Sequence, residues 1–422
     1  MNNIKSSEKQ KNNEKWIQKR HYFFRSLGVG LIKPYCRFVY GINIDRFEPL
    51  DGKPCLIMMN HQTPGDQFFV SMAFKQPVYF VATEDIFSNG WVSSLMRYAF
   101  APIPIKKATT DISAVRTCMR VAKEGGTIAI APEGNRTYSG RTGYMNPAIT
   151  RLAKKLKLPI ALFRIEGGYG VQPRWSDGVR KGTMRGYVSE VITPEEYGKL
   201  SDAELTSRIE KGLFIDEGKS DGRFLSSKRA EYLERAVYYC PHCGFSEFES
   251  SGNEIKCKKC GIRVFYGKDK KLTGINTDFQ FRYMTEWYDK QCEYLNSIDT
   301  TDMTDKPVFT DTADVYDVIV YKRKKLLRKS SQLRLYGNRI TVDETDGIYY
   351  KASAPGKGCI SLSFDDITAV TAMGRNKLNI NLPDKIYQIK GSKRFNALKY
   401  VNFYYRYKNI VKGNTDAKFL GL

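Results

Sequence analysis

Cys55-Leu56-Ile57-Met58-Met59-Asn60-His61-Gln62-Thr63-Pro64-Gly65-Asp66 decides the fold class of this chain. Its first five residues are short and wholly apolar, which reads as a buried strand of a parallel sheet. The polarity then changes abruptly. Thr63 suits an N-cap and Pro64 a first helical position, so a helix is expected to begin there. Asp66 then falls in the first turn, where the helix dipole favours a carboxylate. His61 lies just outside that turn, within reach of Asp66. A carboxylate bonded to an imidazole fixes one tautomer and steadies the imidazolium, which is how a general base is held. A lone His-Asp pair is common on surfaces, and an Asp at a helix start is often only a cap. Two facts favour the catalytic reading: the chain has only three histidines, and the strand-to-polar pattern recurs downstream.

The recurrence is Thr127-Ile128-Ala129-Ile130-Ala131 followed by Pro132-Glu133-Gly134-Asn135-Arg136. In open α/β sheets, ligands collect outside the carboxyl ends of strands, so two such clusters can converge on one crevice. Arg136 offers a planar fork suited to phosphate, and Glu133 can accept bonds from hydroxyls or hold Arg136. Between the clusters, Pro102 to Lys107 is a rigid extended piece ending in Lys106 and Lys107, which taken singly read as solvated charge.

These blocks resemble the acyltransferases that esterify glycerol phosphate and lysophospholipids, of the 1-acylglycerol-3-phosphate acyltransferase type. The family's Asn-His-x-x-x-x-Asp block is similar to Asn60-His61 through Asp66. Its Phe-Pro-Glu-Gly-Thr-Arg block is similar to Ala131-Pro132-Glu133-Gly134-Asn135-Arg136, with Asn135 in the threonine position. Its second block usually ends in Arg, where Lys106 or Lys107 stands here. Leu158-Pro159-Ile160-Ala161-Leu162 resembles its Pro-led fourth block. The resemblance covers roughly the first half of the chain. It implies that His61 deprotonates an acceptor hydroxyl attacking an acyl thioester, with Asp66 orienting the ring. Glu133, Gly134, Asn135, Arg136 and the Lys106/Lys107 pair would hold the acceptor. It also implies acyl-CoA or acyl-acyl carrier protein as donor and a lysophospholipid as acceptor. No enzyme nucleophile is required, because the donor thiol is a good leaving group, and no Gly-x-Ser-x-Gly elbow is seen. Neither standard Gly-rich nucleotide loop is present.

Composition agrees. A chain of 422 residues predicts two or three domains. A hydrophobic fraction of 41% suits globular cores and is low for a multi-span membrane protein. The net charge of +23 calls for an anionic partner. No nucleic-acid recognition motif accompanies it, so an anionic membrane surface, a phosphorylated lipid and an acidic carrier protein or coenzyme A are the expected partners. Residues 1–19 form a polar basic tail. From Arg20 to Tyr40 a helical projection puts Arg25, Lys33 and Arg37 on one side and Phe24, Leu27, Leu31, Tyr35 and Phe38 on the other. That charge density argues against a bilayer crossing, and no signal-peptide core is seen. An in-plane anchor bent near Pro34 is expected, on the cytoplasmic face of a membrane, with His21 an interfacial or solvent residue. The competing reading is a helix packed on the protein's own core.

Strand and helix signals then alternate to residue 219, predicting a layered α/β acyltransferase domain over residues 20–219. Residues 220–237 read as a linker, with Gly218 to Gly222 of linker composition and a basic helical piece from Lys228 to Ala236. Cys240-Pro241-His242-Cys243-Gly244 and Cys257-Lys258-Lys259-Cys260-Gly261 are two knuckles of a zinc ribbon at 238–266, with four thiolates around a structural Zn²⁺. Paired disulfides would suit an oxidising compartment. His242 reads as a bystander, and Cys36, Cys55, Cys118, Cys292 and Cys359 as small apolar residues. A linker helix over 267–305 leads to short alternating strands and a closing helix over 306–412, an order resembling a pleckstrin-homology-like (PH-like) barrel. Its bases Lys322 to Lys325, Arg328 and Lys329 face lipid head groups or solvent. The reading is a peripheral or monotopic acyltransferase of glycerolipid synthesis. The alternatives are a non-catalytic phospholipid-binding adaptor, which needs no base such as His61, and a nucleic-acid-binding ribbon protein.

Overall fold

The computed structural model of the protein describes residues 15–48, 50, 52–88, 90–105, 111–319, 323–343 and 358–414. Lys106, Lys107, Lys322 and the tail through residue 14 lie outside the described residues.

A helix, α1 (Lys19–Tyr40), precedes β1 (Ile42–Ile44) and the apolar run β2 (Leu56–Met59). Then come α2 (Asp66–Ala73), β3 (Val78–Thr83), α3 (Trp91–Phe100), β4 (Ile103–Ile105), α4 (Ile112–Lys123) and β5 (Thr127–Ile130). The unit closes through α5 (Ala148–Leu156), β6 (Ile160–Glu166), α6 (Gly168–Val171), β7 (Met184–Ile192), α7 (Pro194–Tyr197) and α8 (Asp202–Leu213). The seven strands order as β1-β7-β6-β2-β5-β3-β4. All neighbours are parallel except β6 and β7, so the sheet is mixed. Buried apolar residues cover both of its faces, as continuous hydrophobic strands require. Local chemistry sets the helix starts. Asp111 accepts from Ser113 N and Ala114 N, while Thr193 and Ser201 each form a capping box. Gly41 ends α1 at φ +61°, and a Cβ there would stand 2.1 Å from the Gly182 carbonyl, so only glycine fits.

Two small sheets follow, β8 (Tyr239–Cys240) with β9 (Gly244–Phe245), and β10 (Phe248–Ser251), β11 (Glu254–Cys257), β12 (Arg263–Tyr266) and β13 (Leu272–Gly274). Helix α9 (Met284–Asn296) leads to a mainly-β region. Its strands are β14 (Phe309–Ile319), β15 (Arg323–Leu335), β16 (Arg339–Val342), β17 (Ile360–Ser363), β18 (Ala369–Met373), β19 (Lys377–Asn381) and β20 (Ile386–Gly391), followed by α10 (Ala397–Val411). They order as β17-β16-β15-β14-β20-β19-β18, so the first strand of the region pairs with its last. One apolar cluster runs through this region, α9 and the ribbon, and it includes Tyr138, Tyr169 and Trp175 of the first unit. The parts are fused through a common core.

Three expectations are corrected. His21 is buried, its Nδ1 3.1 Å from the Tyr79 hydroxyl; burial and then the nearby Arg20 charge hold its imidazole down at about 4. The stretch Lys228 to Ala236 forms only a 3₁₀ turn at Leu233–Arg235. Its charges are tertiary staples: buried Arg235 donates to the Trp175 carbonyl (2.8 Å) and Asp177 (2.7 Å), and Glu234 accepts from Ser250 and Arg394. Gly218 to Gly222 is tethered, since Lys270 Nζ bonds the Glu217 carbonyl and Ser220 Oγ.

Candidate active site

β2 and β5 are parallel neighbours with Met58 opposite Ile130. His61 and Glu133 therefore stand at equal offsets beyond two adjacent strand ends, and they meet: His61 N donates to Glu133 Oε1 at 2.8 Å. Asn60 anchors the other flank, its side chain closing two bonds with the Ile165 peptide at 2.7 and 2.8 Å.

The helix after β2 begins two residues later than Thr63 suggests, with Gly65 as N-cap and Asp66 as its first residue. The cause is Asp66 itself. Its fully buried carboxylate accepts from Gln62 N (2.7 Å), Thr63 N (2.9 Å) and Thr63 Oγ1 (2.7 Å), and curls the preceding residues into a turn. Its remaining bond is to His61 Nδ1 at 2.7 Å. Four donors thus fix the carboxylate, and the carboxylate fixes the ring. His61 Nε2 is left for the cleft that His61 lines. The ring is about a quarter exposed, while Asp66 is sealed from solvent.

Glu133 does not hold Arg136, as the sequence allowed. Its second oxygen accepts from Gly143 N (2.6 Å), so one carboxylate ties the His61 backbone to the far side of the 132–143 loop. Burial pushes its carboxyl up to about 7, against the pull of those two amides. Gly134 takes φ +67°, a conformation that favours glycine. Glu133, Gly134 and buried Asn135 line the same cleft as His61. Arg136 does not. It lies half-buried near Arg174, with its Nη1 buried and meeting no acceptor among the described residues. Burial and then the charge of Arg174 lower its guanidinium to about 10, against the opposing pull of Asp66.

The cleft encloses about 1730 Å³. Its walls are mostly apolar, from Val29 and Ile32 of α1, Met96 and Phe100 of α3, and Val115 of α4. Tyr288 and Cys292 of α9 and Tyr405 and Lys408 of α10 also line it. Sequence reasoning missed this share of the wall, because a cleft-facing helix side carries the same amphipathic pattern as one packed on a core. On α1 the apolar side remains outward: Leu31 and Phe38 are 68% and 91% exposed. The helix docks instead through His21, Val29, Ile32 and Cys36, and Arg25 turns inward to the Ser71 and Phe74 carbonyls. Trp91, Leu95 and Tyr98 of α3 are also exposed beside it, which was not foreseen. No helix among the described residues is long and apolar enough to cross a membrane.

The Sγ atoms of Cys240, Cys243, Cys257 and Cys260 all lie within 4.8 Å of one another. Cys240 and Cys260 are 3.6 Å apart, well beyond a disulfide of about 2.05 Å. A tetrahedral ion with bonds of about 2.3 Å requires sulfur separations of about 3.8 Å, so the cluster fits zinc. Gly244 (φ +70°) and Gly261 (φ +76°) turn the two knuckles. His242 is outside the cluster. In the C-terminal region, Arg328 pairs with Asp343 at 3.0 Å.

Residues 39–165 match the acyltransferase family profile. The chain is 25% identical over 197 residues to the chloroplastic 1-acyl-sn-glycerol-3-phosphate acyltransferase of Brassica napus, covering 45% of this chain and 54% of that protein. It is 26% identical over 203 residues to the 1-acyl-sn-glycerol-3-phosphate acyltransferase of Pseudomonas aeruginosa, covering 44% and 76%. The chain thus spans about half the length of the plant relatives it matches. The crystal structure of the 1-acyl-sn-glycerophosphate acyltransferase of Thermotoga maritima aligns over 44% of this chain and 77% of that one, at 21% identity and a TM-score of 0.38. The likeness to that family rests on the sequence matches.

Proposed function

We propose that this chain, whose residues 39–165 belong to the acyltransferase family, moves a fatty acyl group from an acyl thioester to the hydroxyl of a lysophospholipid. The acceptor is 1-acylglycerol-3-phosphate and the product phosphatidic acid, in line with the names of its relatives. The observation that carries this reading is the His61–Asp66 pair, bonded at 2.7 Å on the wall of a cleft with room for an acyl chain. His61 Nε2 takes the proton of the acceptor hydroxyl as its oxygen attacks the thioester carbonyl. The C–O ester bond forms and the C–S bond breaks. The departing thiolate of coenzyme A or acyl carrier protein recovers the proton from the imidazolium. Asp66 stabilises that cation, and Glu133 holds the backbone that carries it. A non-catalytic lipid adaptor has no use for a base clamped in this way.

Arg136 binds the acceptor phosphate in this reading. Arg136→Ala should lower the preference for a phosphate-bearing acceptor over the matching phosphate-free one by roughly 10- to 100-fold in kcat/KM, the worth of a charge-assisted hydrogen bond. Equal losses on both acceptors would make Arg136 a residue of the fold.

Cys240, Cys243, Cys257 and Cys260 hold a structural Zn²⁺, and the C-terminal strands with α10 form a PH-like barrel. The protein sits on a membrane surface through the exposed side of α1 and works there as a peripheral enzyme. With a net charge of +23, its binding to vesicles should require anionic lipid. It should weaken with salt as the Debye length falls from about 10 Å at 0.1 M to about 3 Å at 1 M. A salt-resistant remainder should persist through Leu31 and Phe38, and Leu31→Glu should remove it. Protein that stays in the supernatant with anionic vesicles at low salt would overturn the membrane assignment.

A further inference from the structure

Arg174 joins two parts of the chain that the sequence keeps nearly 200 residues apart. Its Nη1 donates to the Arg136 carbonyl at 2.9 Å, and its Nη2 to the Ala372 carbonyl of β18 at 3.0 Å. Its guanidinium lies over the Tyr138 ring, 4.2 Å from the centroid. Three residues beyond Ala372, Arg375 sits on the turn between β18 and β19, a hairpin whose last pair is Met373 with Lys377. Arg375 reaches back to Asp177 at 3.3 Å, a carboxylate already shared with Arg235 at 2.7 Å. The guanidinium groups of Arg136, Arg174 and Arg375 thus share one seam, and the charges of Arg174 and Arg375 both act on Arg136. Two carboxylates that act on this seam are committed, Asp177 to two arginines and Asp66 to His61. Arg136 Nη1 and Arg174 Nε are buried without acceptors among the described residues. Buried N–H groups left unpaired cost about 1–3 kcal/mol each, more when charged, so they mark a place prepared for an anion. Arginine's planar fork suits phosphate oxygens.

We propose that the C-terminal β region completes the acceptor site, with Arg375 joining Arg136 and Arg174 in a pocket for the phosphomonoester of the lysophospholipid. The inference rests on the acyl-transfer reading and extends it: acceptor choice is set partly by the appended region. Removing that region therefore costs phosphate recognition as well as stability.

Two measurements test it. The first needs no turnover: titration of the full-length protein with inorganic phosphate by calorimetry. Wild type should bind. Arg136→Ala and Arg375→Gln should each weaken binding about tenfold or more, with Arg375→Lys intermediate because it keeps the charge and loses the fork. Failure of wild type to bind, or Arg375→Gln binding like wild type, overturns the pocket. The second is the ratio of kcat/KM for acceptors with and without phosphate. It should fall about tenfold in Arg375→Gln while KM for acyl-CoA stays put. A rise in KM for acyl-CoA alone would assign the arginines to the donor's phosphates and overturn the proposal. A wild-type protein that transfers no acyl group defeats the catalytic reading, and the phosphate titration still decides the pocket.

Discussion

Replacing His61 with alanine is expected to slow acyl transfer by about 10²–10⁴-fold, the usual worth of a general base. The fold should survive. The ring is partly exposed, and the backbone amide that binds Glu133 is untouched by the change. Thermal midpoint and vesicle binding should therefore match wild type while turnover collapses. Asp66→Asn makes a useful contrast. Asparagine offers one oxygen where the carboxylate serves four donors, so it loses bonds to Gln62 and Thr63 as well as to the ring. That variant should lose both rate and stability, by about 1–3 kcal/mol for a buried donor left unpaired. A His61→Ala protein with near-normal turnover would remove the histidine from the chemistry.

Loss of zinc should produce the largest structural change. Purified protein should carry a single zinc bound by its four clustered cysteines. Binding at such sites supplies on the order of 10 kcal/mol of folding free energy, comparable to the whole stability of an ordinary domain at about 5–15 kcal/mol. The ribbon cannot be lost quietly here. Its Cys240, Phe248 and Ile255 belong to the same apolar cluster as Trp287, Phe309 and Tyr400, and as Tyr138 and Trp175 of the first unit. Cys257→Ser should therefore lower metal content and destabilise α9 and the C-terminal β region together, read as faster amide exchange across all of them. Metal-free protein with the ribbon still protected would rule the site out.

The His61–Asp66 pair and the four-cysteine cluster were legible in the sequence because each is local in a sense a spacing can carry. Five residues separate His61 from Asp66, and two C-x-x-C-G knuckles define their own geometry. The alternation of apolar runs and helical periods likewise carried the layered α/β unit and a mainly-β C-terminal region closed by a helix. The strand ends at Met59 and Ile130 even brought the two polar clusters to one crevice, although the role of Glu133 differs. It braces backbone amides and leaves Arg136 alone. What could not be read was long-range. Arg235 and Glu234 read as part of a basic helical piece because their partners, Asp177 and Arg394, are distant in sequence. His21 looked exposed because nothing near it announces Tyr79. The walls that α9 and α10 give the cleft, and the approach of Arg375 to Arg136, depend on docking between units, on which periodicity is silent.

The central claim is tested most directly by incubating the purified protein with a long-chain acyl thioester, of coenzyme A or of acyl carrier protein, and 1-acylglycerol-3-phosphate. Released thiol and newly formed phosphatidic acid are then counted over the same time course. With wild type the two should rise together in equal amounts, and both should vanish with His61→Ala. Thiol release without ester product, or no release with either donor, would contradict it.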